Sequence, residues 1–324
     1  MTGSTKTTKD HYVGHTSKSY ESAFFYSGGD YTQNLCEKVL STLMVDHNTY
    51  DSETDSWKSL GKDEKNNFTI KQNDRLRLMD IGGGTGNFTK MMVENTTSMD
   101  AVVIDPFLAS SDMEQFDILS HHPTNNQIFF VKAGAEEFME DAKTDKDFEY
   151  KPWWKDNYDI CLMKEVIHHF SQKDRIPILK GIYSSLLPIS NQKKQTSLTG
   201  QITPSILIVT RPQKDIDYPL WPEAKEVWAL NQPSEEEIMN DLKKAGFEQI
   251  NCSMNKYECK ISLDTWCSMV QNRFWSTFSN FSDQELKDAC FYITEKYSKH
   301  YENDQTKKEI SFEDRLLFIK GQKL

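Results

Sequence analysis

The sequence predicts an α/β protein of the doubly wound kind, a parallel sheet with helices on both faces. Three observations predict it. Short apolar runs recur along the chain with helical patterns between them. The run LMDI, ending at Ile81, passes directly into Gly82-Gly83-Gly84-Thr85-Gly86 and then into a helix. An acid, Asp105, closes the next run, VVID, about 20 residues beyond the loop.

Each element follows from its own pattern. Residues 1–18 are small, polar and basic, with nothing to bury, and are expected to be a disordered tail. Residues 19–324 read as a single domain whose first part, 19–74, is a cap. The cap holds an aromatic stretch from Ser19 to Tyr31, a helix from Gln33 to Val45 with Leu35, Val39, Leu40 and Leu43 at helical spacing, and a polar connection. Strands are predicted at Leu76–Ile81, Ala101–Ile104, Ile128–Val131, Asp159–Met163 and Ile206–Val209, with helices from Asn87 to Asn95 and from Asp174 to Leu187. Ser190 to Pro204 is polar and aperiodic, a surface loop. In PSEEEIMNDLKKAGF, Ser234 is placed as an N-cap, Glu237 completes a capping box and Gly246 ends the helix. A strand is expected from Gln249 to Ile261, then a helical insertion over 263–300 carrying Trp266, Phe274, Trp275, Phe278 and Phe281. The strand DRLLFIKGQK, from Asp314 to Lys323, comes last.

Bulk chemistry excludes several classes. The 38 Lys and Arg against 49 Asp and Glu give a net charge of -11, which argues against a nucleic-acid backbone as the main partner. No apolar run is long enough to span a membrane, and the N-terminus lacks the apolar core of a secretory signal. Six scattered cysteines without a CxxC pair read as reduced thiols in a cytoplasmic protein, and no metal site is expected.

The loop carries the chemistry. Four of the chain's 14 glycines fall within five residues. Glycine permits positive φ and lets a ligand approach the backbone closely. A dinucleotide site would use G-x-G-x-x-G, whereas Gly82, Gly84 and Gly86 give G-x-G-x-G. No Lys opens the following helix, so the loop is not a phosphate-gripping one either. Asp80 just before the glycines suits a cationic, phosphate-free ligand. A carboxylate at Asp105 suits a pair of ribose hydroxyls.

From Leu76 to Leu187 the chain resembles the class I S-adenosylmethionine-dependent methyltransferases, in their small-molecule branch. The family's D-x-G-x-G-x-G is matched by Asp80 to Gly86, and its ribose acid by Asp105. Its G-D-A-E is matched by Ala133-Gly134-Ala135-Glu136, and its E-V-L-H-H by Glu165-Val166-Ile167-His168-His169. The resemblance implies a Rossmann-like seven-stranded sheet, mostly parallel with a reversed last strand, plus helical lid insertions. It implies S-adenosyl-L-methionine as cofactor. Asp80, Gly82, Gly83, Gly84 and Gly86 would hold the methionine moiety. In Asp105-Pro106-Phe107 the acid would take the ribose, and Phe107 or Ile104 would sandwich the adenine. Ala135 and Glu136 would flank the adenine, and Lys164 and Glu165 would line the sulfonium. Gly134 stands where the family has Asp, so the adenine contact would pass to Glu136 or a backbone carbonyl.

His168 and His169 are the catalytic candidates, either as a general base or as hydrogen-bonding supports of the pocket. Tyr26, Trp221 and Trp228 are acceptor-site candidates, although most buried Trp residues only pack. Aromatic faces would hold an amine, whereas Arg273 would hold a carboxylate, and the sequence does not decide between them. The expected function is methyl transfer to a small soluble metabolite (amine, hydroxyl or carboxylate) by in-line displacement. A protein or RNA methyltransferase is the alternative, opposed by the acidic balance and by KEVI where N/D-P-P-Y/F would stand. A nicotinamide oxidoreductase lacks its glycine spacing. A non-catalytic cofactor-binding partner protein remains open.

Overall fold

The computed structural model describes residues 30–44, 50–51, 56–57, 75–96, 98–108, 126–144, 158–188, 202–298 and 309–324. Tyr26, the aromatic stretch before Asp30, the tail and most of the loop after Leu187 lie outside the described residues.

Seven strands form one sheet: β1 (Leu76–Ile81), β2 (Met99–Ile104), β3 (Ile128–Val131), β4 (Ile160–Lys164), β5 (Ser205–Thr210), β6 (Glu248–Ser262) and β7 (Glu309–Gln322). Their spatial order is β3-β2-β1-β4-β5-β7-β6. The pairs β1–β2, β2–β3, β1–β4 and β4–β5 are parallel, and β7 lies antiparallel to β5 from Ser205↔Gln322 to Thr210↔Leu317. This is the doubly wound, Rossmann-like sheet with a reversed last strand. Every residue of β5, SILIVT, is buried, as expected of a parallel strand covered on both faces. A separate two-stranded ribbon pairs Tyr50–Asp51 with Ser56–Trp57.

The helices are α1 (Asp30–Met44), α2 (Asn87–Glu94), α3 (Ala135–Thr144), α4 (Gln172–Ser185), α5 (Pro222–Asn231), α6 (Glu235–Ala245), α7 (Leu263–Gln271) and α8 (Asp283–Ser298). Two departures from the sequence reading have physical causes. The last strand starts at Glu309 rather than Asp314, because the polar residues Glu309, Ser311 and Glu313 alternate with buried Ile310 and Phe312 and mask the run. The insertion after Leu263 is not one helix. It breaks after Gln271, where Arg273 takes a left-handed φ of 53°, continues as a 3₁₀ turn over Ser276–Asn280 and resumes at Asp283.

The chain forms two compact units. The sheet unit comprises Thr32–Thr210, Glu235–Ser253 and Leu317–Leu324. Its core is built from the inner faces of β1, β2, β4 and β5 with Ile178, Leu179 and Ile182 of α4 and Ile238 and Leu242 of α6. Lysines of the last segment cap two helix C-termini in this unit. Lys320 donates to the carbonyls of Thr42 (2.8 Å) and Leu43 (3.3 Å), and Lys323 to those of Leu186 (2.5 Å) and Tyr183 (2.8 Å). A cation there satisfies orphan carbonyls and the negative end of the helix dipole.

The second unit comprises Arg211–Ser234, Met254–Leu316 and, among the described residues, Asp30 and Tyr31. Its core is aromatic, with Tyr218, Trp221, Trp228, Trp266, Trp275, Phe278 and Phe312 all buried. Asp314 lies inside it and accepts hydrogen bonds from Tyr31 (2.6 Å), from Tyr218 and from Arg211 (3.3 Å). Burial pushes the Asp314 carboxyl up, but the Arg211 charge and the two tyrosine hydroxyls outweigh it and hold it below the usual range.

Candidate functional site

The site is built at the carboxyl ends of β1, β2 and β4. Gly82 N–H donates to Ile104 O at 2.8 Å, which locks the start of the loop to β2. Gly84 N–H then donates to Asp105 Oδ2 at 3.0 Å, and Phe107 N–H to Asp105 Oδ1 at 2.8 Å. Gly86, at φ 78°, caps α2 and accepts from Lys90 N–H at 2.8 Å.

The glycines do two different jobs. A Cβ on Gly82 would sit 2.5 Å from Val166 Cγ2, and one on Gly86 would sit 2.7 Å from Phe130 Cε1. Those glycines, with Gly83 against Asp80, are needed because the protein itself presses on the loop. A Cβ on Gly84 would meet nothing within 4 Å. The backbone is bare there, at φ 57°, and open to a ligand.

The two acids differ. Asp105 is 9% exposed. Burial raises its pKa, and the N–H groups of Phe107 and Gly84 hold it back. Those bonds use one lone-pair site on each oxygen, and an ionised carboxylate has about four in all. Two remain for a diol. Asp80 is 2% exposed and accepts from the Thr89 hydroxyl. Burial pushes it up to about 6, against the Thr89 hydrogen bond and the Lys164 charge. The sequence reading has Asp80 facing the methionine moiety. The structure places its carboxylate beneath Gly83, bound to the first turn of α2, where it shapes the loop from below.

Around these lie the remaining cofactor candidates. Phe107, beside Pro106, is 46% exposed, while Ile104 is buried, so the exposed aromatic face belongs to Phe107. Ala135 opens α3 and is buried, and Glu136 is exposed beside it. A Cβ on Gly134 would lie 3.6 Å from Glu136 Oε2, so the Glu136 carboxylate sits beside the place the family's Asp side chain would leave from. Lys164 ends β4 with its ammonium 5.0 Å above the Phe88 ring. Glu165 follows at φ 59°, held by its N–H to Val209 O at 2.8 Å. A bulky residue in the left-handed region marks a position where the surroundings impose the conformation.

His168 and His169 sit in the 3₁₀ turn Ile167–His169, with ring centroids 4.0 Å apart. His168 Nδ1 is buried and has no hydrogen-bond partner among the described residues. Burial, then the His169 charge, lowers its pKa well below the usual value, so the ring is neutral at neutral pH.

Trp221, Trp228 and Arg273 all fall in the second unit and are taken up by its packing. Trp228 is 3% exposed and donates its indole N–H to Pro212 O at 3.0 Å. Trp221 is buried against Phe278 and Phe281. Arg273 donates to Phe281 O at 3.0 Å and Asp283 Oδ1 at 2.6 Å. Each of the three thus has a packing or ion-pairing partner within its own unit. Sequence reasoning missed Thr89, Phe130 and Val166, which shape the loop from the protein side. Only Thr89 had a legible signal, a polar residue three places past the last glycine on the inner face of α2.

Residues 59–251, more than half of the chain, match the model of the methyltransferase-domain family. No curated protein matches the chain. Solved structures with a similar course of chain include the YcgJ protein from Bacillus subtilis, at 15% identity over 77% of this chain and 92% of that one, with a TM-score of 0.43. The cyclopropane synthase MmaA2 from Mycobacterium tuberculosis is 14% identical over 76% of this chain and 78% of its own, with a TM-score of 0.41. The riboflavin-analogue dimethyltransferase RosA from Streptomyces davawensis is 15% identical over 54% and 44%, with a TM-score of 0.37. With the family match spanning the glycine loop, Asp105 and the His168–His169 turn, the chain belongs to the methyltransferase-domain family and is an S-adenosylmethionine-dependent methyltransferase.

Proposed function

We propose that the protein methylates a small soluble acceptor (an amine, hydroxyl or carboxylate) by in-line displacement, and that it does so in the cytoplasm. One observation carries the cofactor half of this reading: Asp105 bridges Gly84 N–H and Phe107 N–H and still has lone pairs to offer, beside a loop left open at Gly84. When bound, S-adenosylmethionine supplies an electrophilic methyl carbon on a sulfonium.

The chain's own residues then bind and align. Asp105 accepts the ribose hydroxyls, Phe107 offers its ring to the adenine, and Glu136 accepts from the adenine amino group. Asp80 and Thr89 hold the loop, Gly84 lets the methionine moiety approach, and Lys164 and Glu165 line the reacting end. Alignment and exclusion of water are the main demands of a displacement of this kind. Burial keeps the His168 ring neutral and makes it a weaker base, and its Nδ1 is enclosed, so the reading rests on alignment rather than on proton transfer to this ring. A carboxylate acceptor needs no such step. The net charge of -11 favours a small acceptor over a nucleic acid. The six cysteines are free thiols, in keeping with a reducing compartment, and no helix among the described residues is long and apolar enough to cross a membrane.

The test has two parts. S-adenosylhomocysteine should raise the thermal midpoint and NAD should not. Asp105→Ala should keep its fold and lose about 2–4 kcal/mol of S-adenosylhomocysteine affinity by calorimetry, since each charged hydrogen bond is worth roughly 1.5–3 kcal/mol. Unchanged affinity removes Asp105 from the site. Labelled cofactor incubated with a metabolite extract, and separately with total protein and RNA, then identifies the acceptor class. Label found only in macromolecules refutes the small-acceptor reading.

A further inference from the structure

Two cysteines outside the cofactor site face each other across the packed helices α7 and α8. Cys267 Sγ lies 3.9 Å from Cys290 O, and Cys290 Sγ lies 3.5 Å from Cys267 O. Contacts that are reciprocal in this way set each sulfur against the other residue's backbone, so the two side chains share one space between the helices. Thr294, one turn beyond Cys290, joins them and donates to Cys290 O at 2.7 Å. From this geometry we propose that Cys267 and Cys290 are an oxidisable dithiol, a modification site that closes to a reversible disulfide between α7 and α8 when a peroxide reaches it.

The surroundings suit the chemistry. A hydrogen bond from the Cys267 thiol, helped by Gln271, stabilises a Cys290 thiolate and lowers its pKa, while the same bond raises that of Cys267. Thiolate character is what makes a cysteine react with peroxide. Cys36, Cys252 and Cys259 are instead pushed up to about 12, chiefly by burial, and Cys161 is raised as well. Cys290 is buried, and the half-buried Cys267 beside it is the side from which a small oxidant reaches the pair.

The steps balance. The Cys290 thiolate attacks one oxygen of hydrogen peroxide, the O–O bond breaks, and hydroxide leaves, giving a sulfenic acid. Cys267 sulfur then attacks Cys290 sulfur. The S–O bond breaks, the Cys267 proton goes to the departing oxygen, and water leaves. Two electrons have passed from the thiols to the peroxide.

The experiment uses the full, reduced chain, kept folded as judged by near-ultraviolet circular dichroism, and treated with a small excess of hydrogen peroxide. The intact mass should fall by about 2 Da, as two hydrogens are lost. A non-reducing tryptic digest should link the peptide 261–273 to the peptide 288–296, and dithiothreitol should release them. Cys267→Ser and Cys290→Ser should each abolish the linked pair. A gain of oxygen at Cys290 without a link, a link through any other cysteine, a link seen only after the dichroism signal collapses, or no change in mass overturns the proposal.

Discussion

Asp80 is an acid held where water cannot reach it, and its ionisation has a cost that can be located on the pH axis. Its pKa is 3.8 when exposed and about 6 in the folded protein. Between those values the folded chain keeps a proton that the unfolded chain has released. Stability therefore falls as pH rises through that window, and the full cost applies above about 6. A shift of about two units corresponds to about 3 kcal/mol. Asp80→Asn keeps the shape and removes the charge, so it should be more stable than the wild type at neutral pH by up to about that amount. The gain should disappear once the pH falls below 3.8, as read from urea unfolding across pH. A gain that persists in acid would mean that ionisation is not its source. The loop gives a second contrast. Gly84→Ala meets open space and only a strained φ, so it should cost about 1–2 kcal/mol of stability while S-adenosylhomocysteine affinity falls at least tenfold. Gly86→Ala drives a methyl against Phe130 and should lose stability more heavily, as thermal unfolding would show. The sequence distinguished these glycines from the rest of the chain but not from one another, because what separates them is the side chain each faces. Val166 comes from the turn after β4 and Phe130 from β3, and nothing in the spacing of the loop announces them.

Among the elements, α4 and α6 are joined by a buried ion pair, Arg175 Nε to Asp241 Oδ2 at 2.8 Å. Both side chains are almost fully enclosed. Removing one partner strands the other charge, so Asp241→Ala should destabilise the protein by about 3–5 kcal/mol. Replacing both, as Arg175→Met with Asp241→Leu, should recover most of that loss, because burying an ion pair gains little over burying apolar groups. Chemical denaturation of the three variants reads the difference, and a double variant as weak as the single one would refute the account. This pair was not legible: nothing in DRIP or MNDL announces that the two charges meet. The elements themselves were legible, since β1 and β3 fall where the apolar runs do, and α2, α4 and α6 lie within a few residues of their patterns. The misreadings were at Glu309–Glu313, where polar residues alternate with buried apolar ones, and after Gln271, where a left-handed residue interrupts a pattern that stays apolar. Trp228 and Arg273 of the second unit were legible as an apolar and a charged residue, but their contacts were not. Those contacts depend on partners such as Pro212 O and Asp283, which lie on other elements.

Across the whole molecule, the order β3-β2-β1-β4-β5-β7-β6 places the strand made last between two made earlier. During synthesis β1 to β5 can pair as they emerge, each beside a strand already present. β6 cannot, since its neighbour in the sheet is β7, which is translated about 50 residues later at Glu309–Gln322. Until then β5 keeps a bare edge of six fully buried-type residues, and such an edge is a template for pairing with another chain. The seven-stranded sheet is thus finished by insertion rather than by extension, and the interval before insertion is the period of greatest risk to the nascent protein. Chains stopped before Glu309 should remain protease-sensitive across β6 and should aggregate on release. The same chains supplied with a peptide of residues 309–324 should regain protection at β5 and β6, and protection of β6 without that segment would show that the sheet closes by another route.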